Sequence, residues 1–215
     1  MIALTVACAL ACAALVFAEW RGLAPLRIAA KLGASAAFVA VGELAVRGDA
    51  YGRAILVGLV LGAIGDACLL GAGKRWFLGG LVAFLLGHLA YVVGIAAIEP
   101  PARWLDDAGG LAIAPLAIAG VVLAGLWPRL GAMRLPVVGY VVTITAMVIA
   151  AIAAARGHAL PDPNRCRLTI GACVFFASDV AVARDRFVAH RFSNKLWGLP
   201  AYYAGQLLFA WSIAA

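Results

Sequence analysis

The chain has 215 residues, of which 66% are hydrophobic and 13% charged, and its mean hydropathy is +1.03. This composition excludes a soluble domain and predicts an integral membrane protein. The net charge of +7 comes from basic residues spread over many short loops, which fits a membrane surface and not a nucleic-acid groove.

The apolar runs are continuous, not alternating, so they predict helices and not barrel strands. Eight spans are predicted, at approximately 2–18, 28–46, 54–72, 76–98, 110–127, 135–154, 167–183 and 199–214. The first begins MIALTVACALACAALVFAEW, without a basic leader, and reads as a membrane helix and not as a cleaved signal. The breaks are RGLAPLR, RGDAYGR, GAGKR, EPPARWLDD, WPRLGAMR, ARGHALPDPNR and RDRFVAHRFSNK. These loops are short, so consecutive helices are expected to be antiparallel neighbours in one transmembrane domain over 1–215. Loops one, three, five and seven with their flanks hold 11 of the 17 Lys and Arg residues. The positive-inside rule places those loops in the cytoplasm and both termini outside, and the Ala, Arg and Gly richness suggests a bacterial inner membrane.

The five cysteines lack zinc-ligand spacing and read as small apolar packing residues. Two aspartates are harder to explain. Asp66 lies in GAIGDACLLG with no basic residue within seven positions, and Asp179 lies in VFFASDVAVA. Each disfavours insertion by about 2.5–3.5 kcal/mol if charged at mid-helix. Helices three and seven both run toward the basic side. Asp66 precedes Lys74 by eight residues and Asp179 precedes Arg184 by five, placing the carboxyls about 12 Å and about 7.5 Å from the basic edge.

Lys31, Tyr140, Ser178, Tyr202, Tyr203 and Gln206 fall in the same layer, with His88 and Tyr91 deeper. The simpler reading makes each aspartate a protonated link between helices. Matched depth beside a lysine and tyrosines favours a site. A faint repeat runs through the chain: GD at 65–66, then Arg75, Phe77, His88 and Tyr91, is echoed by SD at 178–179, then Arg186, Phe187, Tyr202 and Tyr203. The offset is 113 residues, so a parallel duplication of a four-helix unit is expected, although Ala-rich composition imitates such matches.

GDACLL, RWFLGG and GHLAY, followed by FFASDVAVARDRF and YYAGQLL, resemble the YhhN-like lysoplasmalogenase family of eight-helix membrane proteins. Lys31, and Tyr140 with Met147, fit the same pattern. Helices one and five match only as apolar segments, and the proline usual after the helix-two lysine is absent, the sequence reading KLG. The resemblance implies hydrolysis of the vinyl-ether bond of lysoplasmalogens to a fatty aldehyde and glycerophosphoethanolamine or glycerophosphocholine.

The residues suit that chemistry, because a vinyl ether resists nucleophiles and yields to acid. Two carboxyls sharing a proton would supply an acid, a negative charge beside the oxocarbenium ion and a base for water. The expected catalytic pair is Asp66 and Asp179. Tyr202, Tyr203 and Gln206 would hold the glycerol oxygen or water, and Lys31 with Arg75 or Arg184 the phosphate. His88 reads equally as a helix–helix hydrogen bonder. No cofactor is required, no metal-ligand cluster is visible among His88, His158 and His190, and no obligatory protein partner is expected besides the bilayer and the lysophospholipid substrate. The rival enzyme class, an intramembrane aspartyl protease, would want a glycine at Ala63 and a tyrosine at Ser178. The non-enzyme alternative is a proton-coupled transporter built on the same Asp, Lys and His groups.

Overall fold

A backbone in hydrocarbon must satisfy its own hydrogen bonds, so apolar runs of this length fold as helices. The computed structural model describes residues 1–158 and 160–214, and among these the regular structure is entirely helical. In chain order the helices are α1 (Ile2–Arg21), α2 (Ala24–Ala45), α3 (Ala50–Cys68), α4 (Lys74–Ala96), α5 (Trp104–Ala108), α6 (Ile113–Leu130), α7 (Arg134–Arg156), α8 (Asp162–Phe187) and α9 (Phe192–Ser212). Short 3-10 turns flank α5 and join α6 to α7. Ala159, inside the expected sixth connection, and Ala215, at the end of the expected domain, lie outside the described residues.

Six helical stretches are long and apolar enough to cross a membrane: α1, α2, α3, α4, the run Pro101–Arg156 that contains α6 and α7, and α8. Large apolar side chains such as Leu10, Leu44, Val93, Val121 and Val142 are exposed on the outside of the bundle. That surface suits lipid and not water, and together these features are those of a multi-pass membrane protein.

The eighth expected span, α9, is not among the six. The reason lies in its place in the fold. α9 packs against α8, α2, α1 and α3, and it buries Asn194, Tyr202, Tyr203, Gln206 and Ser212 inside the bundle. Its polar residues lower its hydropathy because they face protein.

The helix ends differ from the expected ones for local reasons. α2 starts at Ala24 because Pro25 suits a first turn. α3 starts at Ala50 because the Asp49 carboxylate accepts from the Gly52 amide at 2.6 Å. It stops at Cys68, before Gly71 and Gly73, the latter at φ 95°. Asp66 therefore sits in the last turn of α3 and not well inside it. α8 and α9 both run on into the charged seventh connection, which hydropathy reads as loop although polar helical turns continue beyond an apolar band.

Consecutive long helices pack as neighbours, α1 on α2, α2 on α3, α3 on α4, α6 on α7, α7 on α8 and α8 on α9, as the short loops require. Contacts of α4 with α7 and of α9 with α2 then join the two halves. The α8–α9 seam is close because glycines face it. A Cβ on Gly205 would lie 3.2 Å from the Phe175 backbone nitrogen and 3.3 Å from the Gly171 carbonyl oxygen. Gly205→Leu is expected to destabilise the detergent-solubilised protein by about 1–3 kcal/mol through overpacking. Gly120→Leu, at an exposed position on α6 with open space around it, should leave the thermal midpoint nearly unchanged.

Candidate active site

Asp66 is 1% exposed, and a bare carboxylate there would be costly. It is compensated by α2, which presents two polar residues one turn apart. Lys31 Nζ donates to Asp66 Oδ1 at 2.5 Å, and Ser35 Oγ donates to Oδ2 at 2.6 Å. Tyr203 of α9 adds a long contact to Oδ2 at 3.5 Å. Lys31 is itself buried, so the pair removes two charges from an apolar layer at once. α2 runs unbroken through Lys31, Leu32 and Gly33.

Asp179 has a different set of neighbours. Tyr140 of α7 donates to Asp179 Oδ2 at 2.7 Å, and His88 Nε2 of α4 lies 3.7 Å from the same oxygen. His88 is 1% exposed, and among the described residues neither ring nitrogen has a hydrogen-bond partner. Its ring stands edge-to-face against Phe175 at 4.7 Å and Tyr140 at 5.2 Å, which holds the imidazole beside the carboxyl.

A brace of neutral hydrogen bonds lies behind these groups. Tyr91 donates to Gln206 Oε1 at 2.5 Å, Gln206 Nε2 donates to Tyr202 at 3.1 Å, and Tyr202 donates to the Gly62 carbonyl at 3.3 Å. The amide of Gln206 occupies the space a side chain at position 62 would need. These bonds fasten α9 to α3 and α4.

Both aspartates line one cavity of about 550 Å³. Lys31, Tyr140, Ser178 and Tyr202 line it with them, although the Ser178 hydroxyl is engaged by the Phe175 carbonyl at 2.7 Å. One wall is apolar, formed by Leu81 and Phe84 of α4, Val122 and Leu126 of α6, and Val141 and Ile144 of α7. The other end is polar and holds Glu19, Arg27, Arg186, His190, Asn194 and Lys195. The site thus combines two carboxyls, an apolar wall and a charged mouth.

Three expectations need correcting. Among the described residues no hydrogen bond joins Asp66 to Asp179, so the carboxyls do not share a proton directly: each has donors from other helices. Matched depth brings two side chains into one layer, and the lateral order of helices then decides who touches whom. Arg75 and Arg184 are exposed and do not line the cavity, whereas Arg27 and Arg186 do. Arg186 follows Asp179 by two helical turns and shares its face, while Arg184 lies about 140° round the helix. His88, Tyr91, Tyr203 and Gln206 stand behind the cavity and not on its lining. Ser35 is a residue that the sequence reading did not single out; its spacing of four from Lys31 was the available signal.

The described chain is similar to known proteins over most of its length. The profile of the YhhN family matches residues 26–213. A lysoplasmalogenase of Mycobacterium tuberculosis is 34% identical over 159 residues, covering 71% of this chain and 56% of that protein. Lysoplasmalogenase TMEM86A of Homo sapiens is 32% identical over 161 residues, 74% of this chain and 64% of that protein. Lysoplasmalogenase TMEM86B of Homo sapiens is 30% identical over 164 residues, 75% of this chain and again 64% of the relative. The matches thus span less than two thirds of the relatives' own length, and no solved structure matches. With the family profile covering nearly the whole chain, including both aspartate helices and the helices that supply their donors, the chain belongs to the YhhN family.

Proposed function

We propose that this protein hydrolyses the vinyl-ether bond of lysoplasmalogens, releasing a fatty aldehyde and a glycerophosphoethanolamine or glycerophosphocholine. The observation that carries this reading is the placement of Asp66 and Asp179, 113 residues apart in sequence, on one cavity with an apolar wall and a charged mouth. A single-chain lipid with a charged head has that same division. The names of the relatives point to the same reaction.

Acid cleavage of a vinyl ether begins with a proton added to the alkenyl carbon one removed from the carbon that bears oxygen. The resulting oxocarbenium ion is attacked at the oxygen-bearing carbon by water. Loss of a proton gives a hemiacetal, which collapses to aldehyde and glycerol hydroxyl. Asp179 is assigned as the proton donor. Among the described residues no ammonium or guanidinium pairs with it, and its polar neighbours are a tyrosine hydroxyl and an imidazole, so a proton held among these groups balances its charge. Asp66 is assigned as the carboxylate that faces the cation and accepts a proton from the attacking water, its charge held in place by Lys31 and Ser35. Tyr202 lines the cavity; its hydroxyl donates to Gly62 and accepts from Gln206, and its remaining lone pair is assigned to accept from the water or the glycerol hydroxyl.

The pattern of donors supports a duplicated four-helix unit, with α1–α4 matching α6–α9. Asp66 on α3 takes its donors from α2 and α9, and Asp179 on α8 takes its neighbours from α7 and α4. Exchanging the two halves exchanges these sets, and it also exchanges the α4–α7 contact with the α9–α2 contact. All eight long helices then cross the bilayer as a single domain, with the cavity mouth on the more basic, cytoplasmic side of a bacterial inner membrane.

Purified protein is expected to release aldehyde from a 1-alkenyl lysophospholipid and not to hydrolyse the 1-acyl analogue. Asp66→Asn and Asp179→Asn should each lower the alkenyl rate by at least about 100-fold; Asp179→Asn should leave the thermal midpoint nearly unchanged, whereas Asp66→Asn strands buried Lys31 and should lower it. Full activity in either variant removes that aspartate from the chemistry, and no turnover by folded wild-type protein brings the carrier reading forward. Lys31→Met leaves Asp66 uncompensated and should cost about 3–5 kcal/mol of stability. Adding Asp66→Asn to it should restore the thermal midpoint but not the activity.

A further inference from the structure

Among the described residues, two cations of the cavity have no acidic partner. Five basic side chains line the cavity, and three of them are paired with acids: Lys31 with Asp66 at 2.5 Å, Lys195 with Glu19 at 2.7 Å and His190 with Asp185 at 2.8 Å.

 Of the basic residues that line the cavity, this leaves Arg27 and Arg186, neither of which makes an ion pair among the described residues. The Arg27 Nε is buried and has no hydrogen-bond acceptor. A buried donor without an acceptor in the protein is destabilising unless a ligand or water in the cavity supplies one. The Arg186 guanidinium lies 4.3 Å over the ring of Phe77, another lining residue, which holds the cation at the cavity edge.

Both arginines share a helix face with a member of the acid site. Arg27 precedes Lys31 by one turn on α2, about 6 Å toward the mouth, and Arg186 follows Asp179 by two turns on α8, about 10.5 Å in the same direction. One turn is comparable to the span of a glycerol backbone between its ether oxygen and its phosphate, and the long side chain of Arg186 can reach back over its second turn. We infer that Arg27 and Arg186 form the subsite for the diester phosphate of a lysophospholipid headgroup. The inference rests on the lysolipid reading above, and it moves phosphate recognition away from Arg75 and Arg184. Guanidinium forks suit phosphate oxygens, and two of them around one monoanion also explain why neither is paired within the protein.

The test compares 1-alkenyl lysophosphoethanolamine with 1-alkenylglycerol, which has the same reacting bond and no phosphate. Arg27→Gln and Arg186→Gln are each expected to raise KM for the phospholipid about 10-fold, with kcat nearly unchanged. Both constants for alkenylglycerol should stay at the wild-type values. Arg129→Gln, in the last turn of α6, controls for loss of a basic charge on the same side. Equal impairment of both substrates, an unchanged KM, or the same loss in Arg75→Gln or Arg184→Gln would overturn the assignment. So would inhibition by inorganic phosphate as strong as that by glycerophosphoethanolamine, since the subsite would then be a general phosphate site.

Binding of the 1-O-alkyl lysophosphoethanolamine, which has no vinyl ether to cleave, separates this inference from the proposed reaction. Calorimetric binding that both variants weaken about 10-fold supports the subsite even if no aldehyde is ever released. Binding equal in wild type and variants, or none in folded wild type, overturns it. Arg186 is exposed at the mouth, so its variant remains informative if Arg27→Gln fails to fold.

Discussion

Lys31 and Asp66 form an ion pair in a layer where neither residue is tolerable alone. Both are buried, and the pair joins the second turn of α2 to the last turn of α3. Desolvation of two ions is offset only by close geometry and by further hydrogen bonds, which Ser35 and Tyr203 provide. These requirements draw α2, α3 and α9 together around one point. α9 can be the polar centre of the bundle because its hydroxyls and amide meet partners on α3 and α4, with Tyr91, Gln206 and Tyr202 acting as a single chain.

The second carboxyl lies in a contrasting environment. Asp66 is neutralised by an ammonium. Asp179 has a phenol and an imidazole that is packed on three aromatic rings and has no hydrogen bond of its own. Two like groups in unlike surroundings can take opposite parts in proton transfer, one giving and one receiving. Each aspartate is approached by the helix that precedes its own and by a helix distant in sequence, α2 and α9 around Asp66 and α7 and α4 around Asp179.

Much of this was legible in the chain itself, and particular residues explain why. Asp66 and Asp179 stand out because charge in an apolar run has few explanations. Lys31, Tyr140, Tyr202 and Ser178 could be placed near them because helical rise converts sequence position into depth. Depth carries no information about azimuth, however. Arg184 and Arg186 differ by two residues and by most of a half-turn, and only the packed α8 distinguishes the one that lines the cavity from the one that does not. The same ambiguity separated the carboxyls, which share a layer without touching.

Composition and hydropathy by themselves determined the helical class, the membrane solvent and the two carboxylates that need an explanation, because each is a property of local sequence measured against hydrocarbon. The tertiary structure decided the pairing of Lys31 with Asp66 and of Tyr140 with Asp179, the central place of α9, and the choice of Arg27 and Arg186 at the mouth. Those depend on which helix faces meet, and that is settled by close approaches such as Gly171 against Gly205, where contacts between residues far apart in sequence leave only one arrangement that packs without overlap.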